Sequence, residues 1–137
     1  GGAQLISGGR ALGNNCFSPT VLLNPPIESN VMQKEVFGPV IAVYAYEDVH
    51  QAIELSNALP YAFQAAVFTR NLDVAMQCFQ NFDATAVMVN ESTLFRVDWM
   101  PFAGAKESGH GVGGIAHTMK EMQTEKMMVW RSKVLRG

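Results

Sequence analysis

Cysteine and charge are both scarce in this chain of 137 residues. Its two cysteines, Cys16 and Cys78, stand far apart and show no metal-ligand spacing, a pattern that suits a reducing, cytoplasmic setting. Charged residues make up 16% of the chain, with a net charge of -2 and a pI near 5.9, which argues against a nucleic-acid surface or an anionic membrane surface. No apolar run approaches the roughly 18 residues that a bilayer-spanning helix needs. Residues 1–10 have no apolar centre and so do not read as a signal peptide. The first residues are Gly1-Gly2-Ala3 with no initiator Met, which fits a fragment or a trimmed start. Internal repeats and low-complexity tracts are missing too. What the chain has in quantity is apolar residues, 48% of the total, enough for the core of one domain or one domain plus a tail.

Residues 17–23 read as a strand stopped by Asn24-Pro25-Pro26, and residues 41–46 alternate as a second strand. Asp48 is placed to cap a helix whose apolar positions Val49, Ala52, Ile53 and Leu59 recur at helical spacing, and Pro60 ends it. A short apolar run over residues 65–69 reads as a buried strand. Asn71 then caps a helix with Leu72, Ala75, Met76 and Phe79 on one face, where Cys78 behaves as a small buried hydrophobe. Residues 85–89 form a further strand. Strand, helix, strand, helix, strand predicts an α/β layer with parallel neighbours. Residues 95–114 change character, with five glycines between Gly104 and Gly114, and read as a binding loop. A short helix comes next over residues 115–123, and residues 127–130 form a β-prone tail.

The segment Glu35-Val36-Phe37-Gly38-Pro39 puts an acid and an aromatic beside a Gly-Pro turn, directly before a strand. Loops at strand ends are where α/β proteins place ligand-binding groups. A carboxylate has two acceptor oxygens and can receive both hydroxyls of a ribose diol, while an aromatic two residues on can pack against a flat heteroaromatic ring. The plainer reading is a surface Glu and a core Phe, and the segment alone allows both.

The wider context resembles the aldehyde dehydrogenase family. Glu35-Val36-Phe37-Gly38-Pro39 is similar to that family's Glu-x-Phe-Gly-Pro motif. Later in the chain come, in order, Asn57-Ala58-Leu59-Pro60-Tyr61-Ala62-Phe63-Gln64-Ala65-Ala66-Val67-Phe68-Thr69 and Met100-Pro101-Phe102-Ala103-Gly104-Ala105-Lys106-Glu107-Ser108-Gly109. Gly8-Gly9 with Phe17-Ser18-Pro19-Thr20-Val21 is similar to the family's entry segment, so the resemblance covers nearly the whole chain. It implies an α/β fold of the aldehyde-dehydrogenase type, forming part of a layered catalytic domain over residues 1–114 and a C-terminal helix and oligomerisation tail over residues 115–137. It also implies NAD or NADP as cofactor, with Glu35 on the nicotinamide ribose and Phe37 on the nicotinamide ring. Phe102, in the stretch matching the family's Pro-Phe-Gly-Gly, would lie near the substrate channel. Arg96 stands at a position that tends to face the aldehyde pocket, where a guanidinium suits a carboxylate, phosphate or sulfonate. A surface pair of Arg96 with Asp98 is the alternative.

Two departures stand out, Ala62 and Ala103 where the family usually has Gly; either would be strained if its backbone needed positive φ. The resemblance also places the family's cysteine nucleophile, its glutamate base and its dinucleotide-binding fold upstream of Gly1. Gly109-His110-Gly111-Val112-Gly113-Gly114 is glycine-rich but opens no βαβ unit. The expectation is therefore a piece of a cytoplasmic enzyme that oxidises an aldehyde to a carboxylic acid. That piece carries cofactor contacts and a strand that pairs with another copy, and alone it has no activity. Two rival readings are a stand-alone, non-catalytic α/β interaction module and a small nucleotide-binding protein resting only on Glu35 and Phe37.

Overall fold

A computed structural model describes residues 2–134. The chain forms two compact units that divide between Leu59 and Pro60.

The first unit holds β1 (Gln4–Ser7), β2 (Ala11–Gly13), β3 (Cys16–Phe17), β4 (Thr20–Leu23), α1 (Asn30–Gln33), β5 (Val40–Val43) and α2 (Val49–Asn57). β4 is the middle strand of a three-stranded sheet, antiparallel to β1 and parallel to β5, with Thr20 opposite Val40 and Leu23 opposite Val43. β2 and β3 form a hairpin turning on Asn14 and Asn15, whose φ values of 50° and 61° suit a turn with both central residues left-handed. The single strand expected over residues 17–23 is broken at Ser18-Pro19. Pro19 has no N–H for a ladder, and the hydroxyls of the buried Ser18 and Thr20 are taken by the crossing segment. Ser18 Oγ accepts from Arg10 N at 2.9 Å and Thr20 Oγ1 from Gly9 N at 2.8 Å. That crossing is close enough to demand glycine, because a Cβ on Gly8, at φ +85°, would sit 2.1 Å from the Pro19 carbonyl oxygen. α2 begins as expected, with the Asp48 side chain accepting from Gln51 N at 3.0 Å and the Gln51 side chain accepting in turn from Glu47 N. Ile53 is its buried anchor.

The second unit holds β6 (Tyr61–Ala62), β7 (Gln64–Val67), α3 (Leu72–Asn81), β8 (Ala86–Val89), β9 (Ala105–Lys106) and α4 (Ile115–Glu121). β7, α3 and β8 make a parallel crossover unit, with Gln64 opposite Ala86 and Val67 opposite Val89. The Asn71 side chain caps α3 by accepting from Asp73 N and Val74 N. Ala75 and Cys78 of α3 and Met88 of β8 are buried, and burial raises the Cys78 thiol pKa above its ordinary value. The apolar face expected on this helix is split: Ala75 is buried, while Leu72, Met76 and Phe79 face outward. The α/β layer is thus present in part. β5 belongs to the sheet of the first unit and β7 to that of the second, each in a parallel pair.

Residues 127–130, expected as a strand, carry no strand pairing, and Met127, Met128, Val129 and Trp130 are all exposed. The reason is physical: a strand exists only against a neighbour that takes its N–H and C=O groups. Of the expected tail 115–137, the last three residues lie outside the described ones. No helix among the described residues is long and apolar enough to cross a membrane.

Candidate functional site

In the first unit the Glu35 segment links α1 to β5. α1 closes with Lys34 N bonding to Asn30 O at 2.9 Å, after which the chain is extended. Two tight three-residue turns come next. Gly38 N donates to Val36 O at 2.9 Å and Val40 N to Gly38 O at 2.8 Å, while Pro39 O accepts from Thr20 N and anchors the turn to β4. Held this way, Glu35 is exposed and takes part in no hydrogen bond or ion pair among the described residues. The Phe37 ring is 93% exposed, so the reading of Phe37 as a core residue does not hold for this unit. Gly38 is not left-handed, and a Cβ on it would meet nothing nearer than Val36 Cγ1 at 3.9 Å. A Cβ at Gly38 would thus make only an ordinary contact with Val36, on a turn that also carries an unengaged carboxylate and an exposed aromatic face.

In the second unit Arg96 and Phe102 are in contact. The guanidinium carbon lies 4.5 Å from the Phe102 ring centroid, and Arg96 Nη1 lies 3.5 Å from the Pro101 carbonyl oxygen. Phe63 meets Phe102 edge to face, with centroids 4.9 Å apart and planes at 84°. An Arg96–Asp98 ion pair is not formed among the described residues; a salt bridge joins Lys106 to Asp83 at 2.7 Å. Phe63, Gln64, Thr93, Leu94, Phe95, Arg96 and Phe102 line an open cleft of about 430 Å³.

The loops around that cleft are stitched by backbone bonds. Phe102 and Gly113 exchange a pair at 3.0 and 2.7 Å, which turns residues 102–113 back on themselves. Glu107 N donates to Pro60 O at 2.9 Å and Ala62 N to Ser108 Oγ at 3.1 Å, tying β9 to β6. Neither Ala62 nor Ala103 has positive φ, so alanine at these two positions brings no backbone strain. Sequence reasoning singled out Arg96 and Phe102 separately and missed Phe63 and the turn carrying Leu94 and Phe95. Phe63 lay within a motif block, and its position directly before a strand was the available signal.

Comparison with known proteins gives a consistent picture. The family model described as the aldehyde dehydrogenase family matches residues 1–128. The chain is 34% identical over 128 residues to 3-sulfolactaldehyde dehydrogenase of Priestia aryabhattai, which takes in 93% of this chain and 27% of that one. It is 38% identical over 130 residues to lactaldehyde dehydrogenase of Methanococcus maripaludis, 94% of this chain and 27% of the relative. Among solved structures it superposes with a TM-score of 0.83 and 35% identity on aldehyde dehydrogenase 21 from Physcomitrella patens in complex with succinate, covering 88% of this chain and 25% of that one. NADP-dependent glyceraldehyde-3-phosphate dehydrogenase from Bacillus halodurans, solved with NADP, matches with a TM-score of 0.81 and 37% identity over 86% of this chain and 25% of that one. The chain thus spans about a quarter of the length of the relatives it matches.

Proposed function

Because this chain belongs to the aldehyde dehydrogenase family, we propose that it is the part of an NAD- or NADP-dependent aldehyde dehydrogenase that grips the nicotinamide ribose and lines the aldehyde pocket. The observation that carries this reading is the Glu35 turn: an unengaged carboxylate, a phenyl ring 93% exposed and an uncrowded glycine, all on one short loop. A phenyl ring left in water forgoes about 1.5–3 kcal/mol of burial, so Phe37 gains from any partner that covers it, and a flat ring is one that fits. Two acceptor oxygens at Glu35 fit a pair of vicinal hydroxyls, and Gly38 leaves room for close approach of a ligand. The residues present therefore suit the nicotinamide end of a dinucleotide, whose chemistry when bound is to accept hydride as an aldehyde becomes a carboxylic acid.

The chain's own contribution is binding and orientation. Glu35 would fix the ribose and Phe37 would brace the ring. In the second unit, Phe102 would form an apolar wall and Arg96 would hold a negatively charged group on the aldehyde, its guanidinium oriented by the Phe102 face. No nucleophile is proposed here. Cys78 is buried with a raised pKa, and Cys16 lies on the β2–β3 hairpin with its thiol near the Asn14 carbonyl oxygen. Alone, the chain is expected to show no turnover and no measurable dinucleotide binding, since a single ribose contact cannot offset the cost of association. Residues 127–130 are proposed to become a strand when a second copy of the enzyme supplies its partner, with 1–114 as the catalytic-domain part and 115–137 as the assembly tail. A cytoplasmic location completes the reading.

The test is Glu35→Gln and Phe37→Ala in the full-length protein. Loss of charge-assisted bonds and of the ring contact should raise the KM for the dinucleotide by about tenfold each, the equivalent of one modest interaction. If both variants keep the wild-type KM, the loop is not a cofactor contact.

The competing reading, a stand-alone interaction module, has the uncovered apolar tail in its favour, but the tail suits the enzyme reading equally.

A further inference from the structure

Two asparagines end strands in the same way. Asn24 comes directly after β4 and Asn90 directly after β8, each with a left-handed backbone, at φ 45° and 55°. In each case the backbone N–H extends the parallel ladder by one bond, Asn24 N to Val43 O and Asn90 N to Val67 O, both at 2.8 Å. In each case the side chain then reaches the neighbouring strand's outgoing chain two residues on. Asn24 Oδ1 accepts from Ala45 N at 3.3 Å. Asn90 goes further, accepting from Thr69 N at 2.8 Å and donating from Nδ2 to Thr69 O at 2.9 Å. Asparagine is the side chain that tolerates this φ and supplies both a donor and an acceptor.

The two asparagines lead into different segments. Asn24 runs into Pro25-Pro26. Asn90 runs straight into a turn in which Leu94 N donates to Ser92 Oγ at 3.1 Å and Phe95 N to Ser92 O at 3.0 Å, delivering Leu94, Phe95 and Arg96 to the cleft. The cleft side of that turn has two weak holds, the stacking of Arg96 on Phe102 and its long contact with Pro101 O. Its entry end is fixed by Asn90.

We propose that Asn90 is a positioning residue for the cleft. Its carboxamide locks the start of the Arg96 turn to the end of β7, and so sets where the guanidinium and the two apolar side chains stand relative to Phe102. The proposal rests on the reading of the cleft as the aldehyde pocket. It adds a residue that touches no substrate yet governs how well an anionic aldehyde is held. Glycine at position 90 would keep the left-handed backbone and remove only the clamp, whereas alanine would remove both.

The experiment uses the full-length protein and four variants, Asn90→Gly, Asn90→Asp, Asn24→Gly and Arg96→Leu, with thermal melts on each. The steady-state readout takes a carboxylate-bearing aldehyde and a neutral one of similar size as substrates. Asn90→Gly should raise the KM for the charged aldehyde by about tenfold and leave the dinucleotide KM within about twofold, since one lost interaction of ordinary size is about a tenfold effect. Asn90→Asp keeps the acceptor to Thr69 N and should fall between wild type and Asn90→Gly. Asn24→Gly, which loses the same device elsewhere, should lower the melting temperature without moving the aldehyde KM. If Asn90→Gly matches Asn24→Gly in showing only a stability loss, Asn90 is a strand-end fastener and the proposal falls. If Asn90→Gly raises aldehyde KM while Arg96→Leu does nothing, the positioning role stands and the guanidinium's role in the proposed function fails. If Asn90→Gly is silent and Arg96→Leu loses the preference for the charged aldehyde, the pocket reading stands and the positioning role is overturned. Should Asn90→Gly not fold, the Asn90→Asp kinetics decide in the same way.

Discussion

Replacing Gly104 by alanine puts a methyl group where the Ser108 carbonyl already stands. An ideal Cβ on Gly104 lies 2.5 Å from Ser108 O and 2.6 Å from Ser108 C, and both are backbone atoms that cannot rotate away. Gly104 has no positive φ, so the whole effect is steric. To reach ordinary contact the Ser108 peptide must retreat by about an ångström. That movement loads three bonds at once: Ala62 N to Ser108 Oγ at 3.1 Å, Ser108 N to Ala105 O at 3.0 Å and Glu107 N to Pro60 O at 2.9 Å. With a net worth of about 1 kcal/mol for each bond, losing most of them costs about 2–3 kcal/mol. That corresponds to a fall in Tm of roughly 10–15 °C for a unit of this size. The assay is thermal denaturation of Gly104→Ala tracked by circular dichroism, with Ala103→Gly alongside. Ala103 has no positive φ, so glycine there only loosens the unfolded chain and should cost about 0.4–1 kcal/mol. A Gly104→Ala melt as high as that of Ala103→Gly would refute the close approach of residues 104 and 108, and with it the path of the loop beneath Phe102.

Gly38→Ala should behave in the opposite way. Its Cβ meets nothing closer than 3.9 Å, so the melting temperature should hold or rise slightly, while dinucleotide affinity in the full-length protein falls several-fold; equal affinity would show that no ligand approaches that turn. The two thiols should also separate under native labelling. Exposed Cys16 should react with a maleimide at neutral pH and buried Cys78 only after denaturation, counted by mass spectrometry. Because burial raises the Cys78 pKa, the unfolded chain releases a proton above its ordinary thiol pKa that the folded chain still holds. Cys78 therefore leaves stability untouched at neutral pH and lowers it as the solution turns alkaline, a trend that Cys78→Ala should remove.

Elements set by neighbouring residues were legible in the sequence. Asp48 and Asn71 cap α2 and α3 as read, because a side-chain acceptor three residues from a free N–H acts locally. The parallel pairing of β7 and β8 across α3 followed from the alternating order of strand and helix. Glu35 and Phe37 were legible as a motif, and both are exposed on the turn before β5. What the sequence hid was set by distant partners. The two-residue ladder of β6 with β9 depends on Ser108 reaching Ala62, and the stacking of Arg96 on Phe102 depends on the fold-back closed by Gly113. Residues 17–23 read as one strand because the sequence does not show what Ser18 and Thr20 bond to.

The split face of α3 shows this at the scale of a whole element. Periodicity marks Leu72, Ala75, Met76 and Phe79 as one apolar stripe, and it has no means of telling which neighbour each residue will meet. In the second unit Ala75 and Cys78 are the residues that go inward, while Leu72 stays 74% exposed and Phe79 62% exposed. β5 shows the same pattern, with Ile41 62% exposed beside a parallel partner. Parallel strands are stable in proteins when both faces are covered, so an apolar helix side and an apolar strand face left open require further layers. Relatives about four times as long have the chain to build such layers. On this argument a good part of the apolar content that reads as a core in the sequence stands instead at the surface of the two units, where α3 and β5 leave one side each uncovered.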